Sequence, residues 1–89
     1  MRLTDAEKRN RENPDTFQIP DKEERENLPV GAFAKLIFND RERMWVRITE
    51  FTPEDYVGVL DNEPVIVKMK IGDTVRFKAK HVIDYFLPK

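Results

Sequence analysis

The chain has 89 residues, of which 37% are charged, yet the formal net charge is only -1. That length allows one small domain, burying roughly 60–65% of the surface its unfolded chain exposes. A balanced charge argues against a dedicated nucleic-acid or membrane-surface protein, whose domains usually carry a large basic excess.

Residue types that are missing narrow the chemistry further. There is no Cys, no Ser and a single His, His81. Disulfides, thiolate metal sites and the ordinary Ser-His or Cys-His nucleophile pairs therefore cannot be assembled within one chain. No cofactor is expected. The start, MRLTDAEKRNRENPD, is polar throughout and lacks an apolar signal core. No apolar run approaches the ~20 residues that span a bilayer. A soluble cytoplasmic protein without membrane association is the expectation.

Residues 1–30 read as an arm with little to bury. Thr4 and Glu7 have capping-box spacing, which predicts a short helix to about Glu12. Asn13-Pro14 ends it, because a residue before proline is pushed out of the α region. Phe17 and Ile19 then share one side of an extended segment. Asp21 with Glu24 repeats the capping pattern and predicts one or two turns over Lys22 to Leu28. Pro29 closes the arm.

From Gly31 to the end, residues 31–89, the apolar period becomes two. Ala32, Ala34, Leu36 and Phe38 make one face of a first strand, and Asn39-Asp40-Arg41 a turn. Met44, Val46 and Ile48 form the inner face of a second strand, with Trp45, Arg47 and Thr49 opposite. Thr52-Pro53-Glu54-Asp55 has Pro at the second position of a type I turn. Tyr56 to Leu60 is the third strand, with Gly58 a bulge or close-approach point. Asp61-Asn62-Glu63-Pro64 is a reversal. Val65, Val67 and Met69 predict a fourth strand, Ile71-Gly72-Asp73 a hairpin connection, and Val75, Phe77 and Ala79 a fifth. Val82 to Leu87 adds a last short strand or helical turn.

Strands of this length and spacing indicate an α+β, mainly β domain. The expected form is a small antiparallel β-barrel of SH3-like size, or a strongly curved sheet, with a short N-terminal helix and arm. An open twisted sheet with the helix packed across it is the other arrangement.

The stretches Glu42-Arg43-Met44-Trp45-Val46, Tyr56 to Pro64, Gly72 to Phe77 and His81-Val82-Ile83 together resemble the bacterial family named domain of unknown function 2314. The chain also looks YegJ-like, and Asn13 to Phe17 fits the same pattern. The resemblance implies a compact bacterial domain. It supplies no activity, ligand or catalytic residue.

Three sets of residues are candidates for function. Trp45 beside Arg43 and Arg47 has the composition of an interface hot spot, with Asp61, Asn62 and Glu63 as part of its rim. Alternatively, Phe17 and Ile19 of the arm cover Trp45. In a hairpin turning at residues 71–73, Lys68, Lys70, Arg76, Lys78 and Lys80 would share one face and could engage a polyanion. The competing reading is a solvated face protecting an exposed strand. Asp61, Glu63 and His81 are the remaining groups that could do acid–base work, although turn chemistry accounts for the first two and His81 has no companion ligand for a metal. A non-catalytic module binding another protein is the leading expectation, polyanion or nucleic-acid binding the alternative, and a small enzyme the least favoured.

Overall fold

Alternation along the strands decides which side is buried. In a computed structural model describing residues 1–88, Ala32, Ala34, Leu36, Met44, Val46 and Ile48 all point into one core with Leu60, Val75, Phe77 and Val82. Lys89, the last residue of the expected β region, lies outside the described residues. The elements in chain order are α1 (Ala6–Glu12), α2 (Lys22–Glu26), β1 (Phe33–Phe38), β2 (Glu42–Phe51), β3 (Tyr56–Leu60), β4 (Thr74–Phe77), a 3-10 turn (Ala79–His81) and β5 (Asp84–Phe86).

The five strands form one antiparallel sheet in the order β4-β3-β2-β1-β5. Phe33 opposes Arg47 and Leu36 opposes Met44 across the β1–β2 hairpin. Its turn places Asn39 and Asp40 in the left-handed region, which short polar side chains tolerate. Along β2–β3 the register slips between Ile48 and Glu50, so the irregularity sits on β2 rather than at Gly58. Gly58 is instead the point of close approach: a Cβ there would lie 2.5 Å from the Arg47 carbonyl oxygen and 2.6 Å from a Val46 methyl.

β4 and β5 are the two edges, and no ladder joins them among the described residues. The expected antiparallel β part and N-terminal helix are present, and the sheet is not closed into a barrel. β1 has both of its sides occupied. β5 pairs with Phe33 to Lys35, while Leu3 bridges Phe38 and the Thr4 N–H donates to the Ile37 carbonyl at 3.0 Å. No helix among the described residues is long and apolar enough to cross a membrane.

The arm is pinned by a few specific contacts. Thr4 does not cap α1, because its hydroxyl donates to the Asp40 carboxylate. Asp5 caps instead, accepting from the Lys8 N–H at 3.0 Å. α2 stops at Glu26, before Leu28 enters the core. Arg25 on α2 is buried and donates to Glu7 (2.7 Å) and to the carbonyls of Pro20 (2.8 Å) and Ala79 (3.0 Å). A buried guanidinium needs such a full set of acceptors.

The largest departure from expectation lies between β3 and β4. Residues 64–70 form no strand. Val65 is 89% exposed, although Val67 is buried. The Glu42 carboxylate accepts the N–H groups of Val65 (2.6 Å), Ile66 (2.8 Å) and Val67 (2.9 Å). Successive N–H groups of a strand point to opposite sides, so three converging on one carboxylate require a curled backbone. β4 therefore pairs with β3, with Val57 opposite Arg76. The predicted fifth strand is shortened to Thr74–Phe77 because Ala79 begins the 3-10 turn.

Candidate binding face around Trp45

With Met44, Val46 and Ile48 in the core, alternation turns Trp45 to the opposite side of β2, where it is half-buried. The arm does not cover it. Phe17 packs with Ala6, Ile37 and Ile83, with Ile19 against them, in a second cluster to which Trp45 does not belong. Phe17 meets Ile37 there, at the end of β1 where an apolar side chain on the outward side is buried.

Cross-strand register defines the neighbours. Lys35 opposes both Trp45 and Asp84, giving a row Asp84–Lys35–Trp45. Asp61 continues it, since its N–H donates to the Trp45 carbonyl at 2.9 Å. The next row is Phe86–Phe33–Arg47–Val59. The Lys35 ammonium lies 5.4 Å from the centre of the Trp45 ring, a cation–π distance. Phe33 and Phe86 are tilted against each other with ring centres 6.2 Å apart. Between these residues runs an open groove of about 480 Å³ lined by Phe33, Trp45, Asp61, Asp84, Tyr85 and Phe86.

The expected rim is brought together only in part. Asn62 is structural: its side-chain oxygen accepts the Trp45 N–H, holding the strand where the indole projects. Asp61 lines the groove, whereas Glu63 is exposed in the following loop. Arg47 is exposed beside Phe33. Arg43 is exposed too, but its guanidinium lies 5.9 Å from the Phe17 ring, which Arg9 also approaches at 4.8 Å.

The basic strip is dispersed. Lys68 and Lys70 are exposed in the irregular segment and oppose no strand. Arg76 and Lys78 both reach Asp55, at 3.3 and 2.6 Å. The hydrogen bond from Lys78, with Arg76 beside it, holds the Asp55 carboxyl below its ordinary range. Lys80 is in the 3-10 turn. The hairpin that would have aligned all five does not form.

His81 is remote in chemistry from Asp61 and Glu63. Its Nδ1 accepts the Lys78 N–H at 2.9 Å, and burial, then Lys80, pushes its pKa down. The charged groups acting on it are Lys80, Asp5, Lys78 and Asp55. Among the described residues no three His, Asp or Glu side chains gather to hold a metal ion.

Several residues of the face were not anticipated. Phe33 and Lys35 were visible as the polar-side parity of the first strand, but only the turn at Asn39 and Asp40 sets them opposite Arg47 and Trp45. Asp84, Tyr85 and Phe86 form the short strand expected within Val82 to Leu87, but nothing local sets it beside β1. The Tyr85 hydroxyl donates to Glu24 at 2.5 Å, tying that strand to α2 and holding the Glu24 carboxyl below its usual range.

No curated protein and no solved structure matches the chain. A family model described as "Uncharacterized protein conserved in bacteria (DUF2314)" matches residues 6–89. With nearly its whole length covered, and the sheet, most of its arm and the Trp45 face inside the match, the chain belongs to this bacterial family.

Proposed function

We propose that the protein is a non-catalytic binding module that presents the outward sheet face around Trp45 to another protein. The observation that carries this reading is the placement of the only Trp. It projects from the middle of a rigid antiparallel sheet, outside both apolar clusters, beside a groove lined by Phe33 and Phe86. Aromatic side chains on a rigid support give contact area at low entropic cost. Arg47 and Asp61 flank the indole as polar rim, Arg43 extends the rim toward the arm, Asn62 sets the strand, and Glu63 stands outside it in the loop.

Polyanion binding through Lys68, Lys70, Arg76, Lys78 and Lys80 draws less support, since Asp55 engages two of the five. An enzyme built on Asp61, Glu63 and His81 draws least, because His81 uses its acceptor nitrogen on the backbone.

Affinity capture from bacterial lysate, comparing the natural chain with Trp45→Ala at low and moderate salt, tests the reading. Partners retained by the natural chain and lost by the folded variant support it. A folded variant that keeps the same partners sinks it.

A further inference from the structure

A second groove lies apart from the Trp45 face and shares no lining residue with it. It holds about 360 Å³ where the β1–β2 turn meets the curled segment between β3 and β4. Met1, Ile66, Val67 and Met69 give it an aliphatic wall, and Asn39, Arg41 and Lys68 supply the polar lining. No aromatic ring and no carboxylate lines it. Arg41 and Lys68 are exposed, and neither forms an ion pair among the described residues. Asn39 spends its side-chain oxygen on the Arg2 N–H at 2.8 Å, which leaves its NH2 group as a third donor.

The acids that flank Arg41 in sequence are committed elsewhere. Asp40 accepts from the Thr4 hydroxyl and the Arg2 guanidinium. Glu42 accepts from the three N–H groups of residues 65–67. Those bonds also fix the walls. The Asn39 N–H donates to the Arg2 carbonyl at 2.7 Å, and the Met69 N–H turns onto the Val67 carbonyl at 3.0 Å.

We infer that this groove binds a small aliphatic carboxylate, its head group between Arg41 and Lys68 and its chain along Ile66, Val67 and Met69. The inference is independent of the protein-binding reading. The volume stands at the low end of small-molecule sites, which combine apolar walls with a few polar groups. Met1 and Ile66 are 64% and 54% exposed, so an alkyl chain laid on them removes apolar surface from water. Methionine side chains mould to a flexible chain, whereas a flat aromatic ligand would find no ring to stack on. Two cations with no carboxylate among the lining residues favour an anionic head, and a guanidinium fork matches a carboxylate.

Titration of the protein at neutral pH and moderate salt with octanoate, octanamide, octylammonium and butyrate tests this, read by backbone amide shifts. Octanoate should saturate and shift the amides of residues 39–41 and 66–69. It should bind roughly tenfold more tightly than neutral octanamide, from two exposed charge contacts. Butyrate, four methylenes shorter, should bind at least roughly tenfold more weakly than octanoate. Arg41→Gln with Lys68→Gln should erase the preference for octanoate over octanamide while leaving the thermal unfolding midpoint of the free protein nearly unchanged. Equal binding of octanoate and octanamide, or preference for octylammonium, overturns the anionic head group. Equal binding of butyrate and octanoate overturns the role of the aliphatic wall. Shifts confined to other parts of the sheet, or no saturation by octanoate, remove the site.

Discussion

The hydroxyl of Tyr56 donates to the carbonyl of Arg25 at 2.8 Å, joining the third strand to the arm across 31 positions of sequence. The same oxygen accepts the Leu28 N–H at 3.0 Å, and the ring stacks on Phe77 with centres 5.2 Å apart. One side chain thus satisfies both a donor and an acceptor where the arm leaves α2. Tyr56→Phe keeps the ring and strands both backbone groups. It should cost about 1–3 kcal/mol, the penalty for buried polar groups left unpaired, read as a lower urea midpoint with an unchanged slope.

Gly58 offers a second test, with a different cause. A methyl group there meets backbone and a core side chain of β2, neither of which can swing away. Gly58→Ala should destabilise by about 1–3 kcal/mol through overpacking. Ala in place of Gly would otherwise be neutral or slightly stabilising through the unfolded chain, so a variant of unchanged urea midpoint would refute the close approach.

Glu42 is expected to act locally. Hydrogen bonds from Val65 and then Val67 hold its carboxyl below the ordinary glutamate range. The latch is therefore complete above that range and opens only as pH falls through the lowered value. The amide shifts of Val65, Ile66 and Val67 should titrate together there. Glu42→Gln should speed hydrogen exchange at these three amides and leave those of Val46 and Val75 protected. Equal loss of protection in the sheet would make Glu42 a global support instead.

His81 sets a pH window of its own. Its folded pKa is depressed, first by burial and then by Lys80, so the unfolded chain takes up the proton first. Stability is complete above the ordinary histidine value near 6.5 and declines as pH falls from there through the folded value. Protonation also removes the acceptor that Nδ1 offers to the Lys78 N–H. The lowered carboxyls of Asp40, Glu42 and Asp55 release their contributions only at more acid pH. Chemical denaturation between pH 5 and 7.5 should show this slope, and His81→Asn should flatten it.

Much of the sheet was legible because strand alternation is a local property. Ala34 to Phe38, Met44 to Ile48 and Tyr56 to Leu60 fall where their period places them, and that period also puts Trp45 outward. Val65 to Met69 carries the same period and forms no strand, because a carboxylate more than 20 positions earlier captures its N–H groups. The lysine strip fails for that reason too: its geometry was borrowed from a hairpin that Glu42 prevents. Arg25 was unreadable, since burial of a charged residue depends on acceptors supplied by Glu7, Pro20 and Ala79 from three separate places. Half of the Trp45 groove comes from β5, whose position no neighbouring residue announces.

The pairing of β1 with β5 also bears on how the molecule comes into being. Phe33 leaves the ribosome well before Phe86, so this end of β1 waits for β5 to supply its outer neighbour, while Leu3 takes the same side at the other end, at Phe38. Contacts so distant in sequence are slow to close. The groove, needing residues from both strands, is therefore assembled only after synthesis of the sheet is complete, and no nascent chain short of β5 carries the finished face.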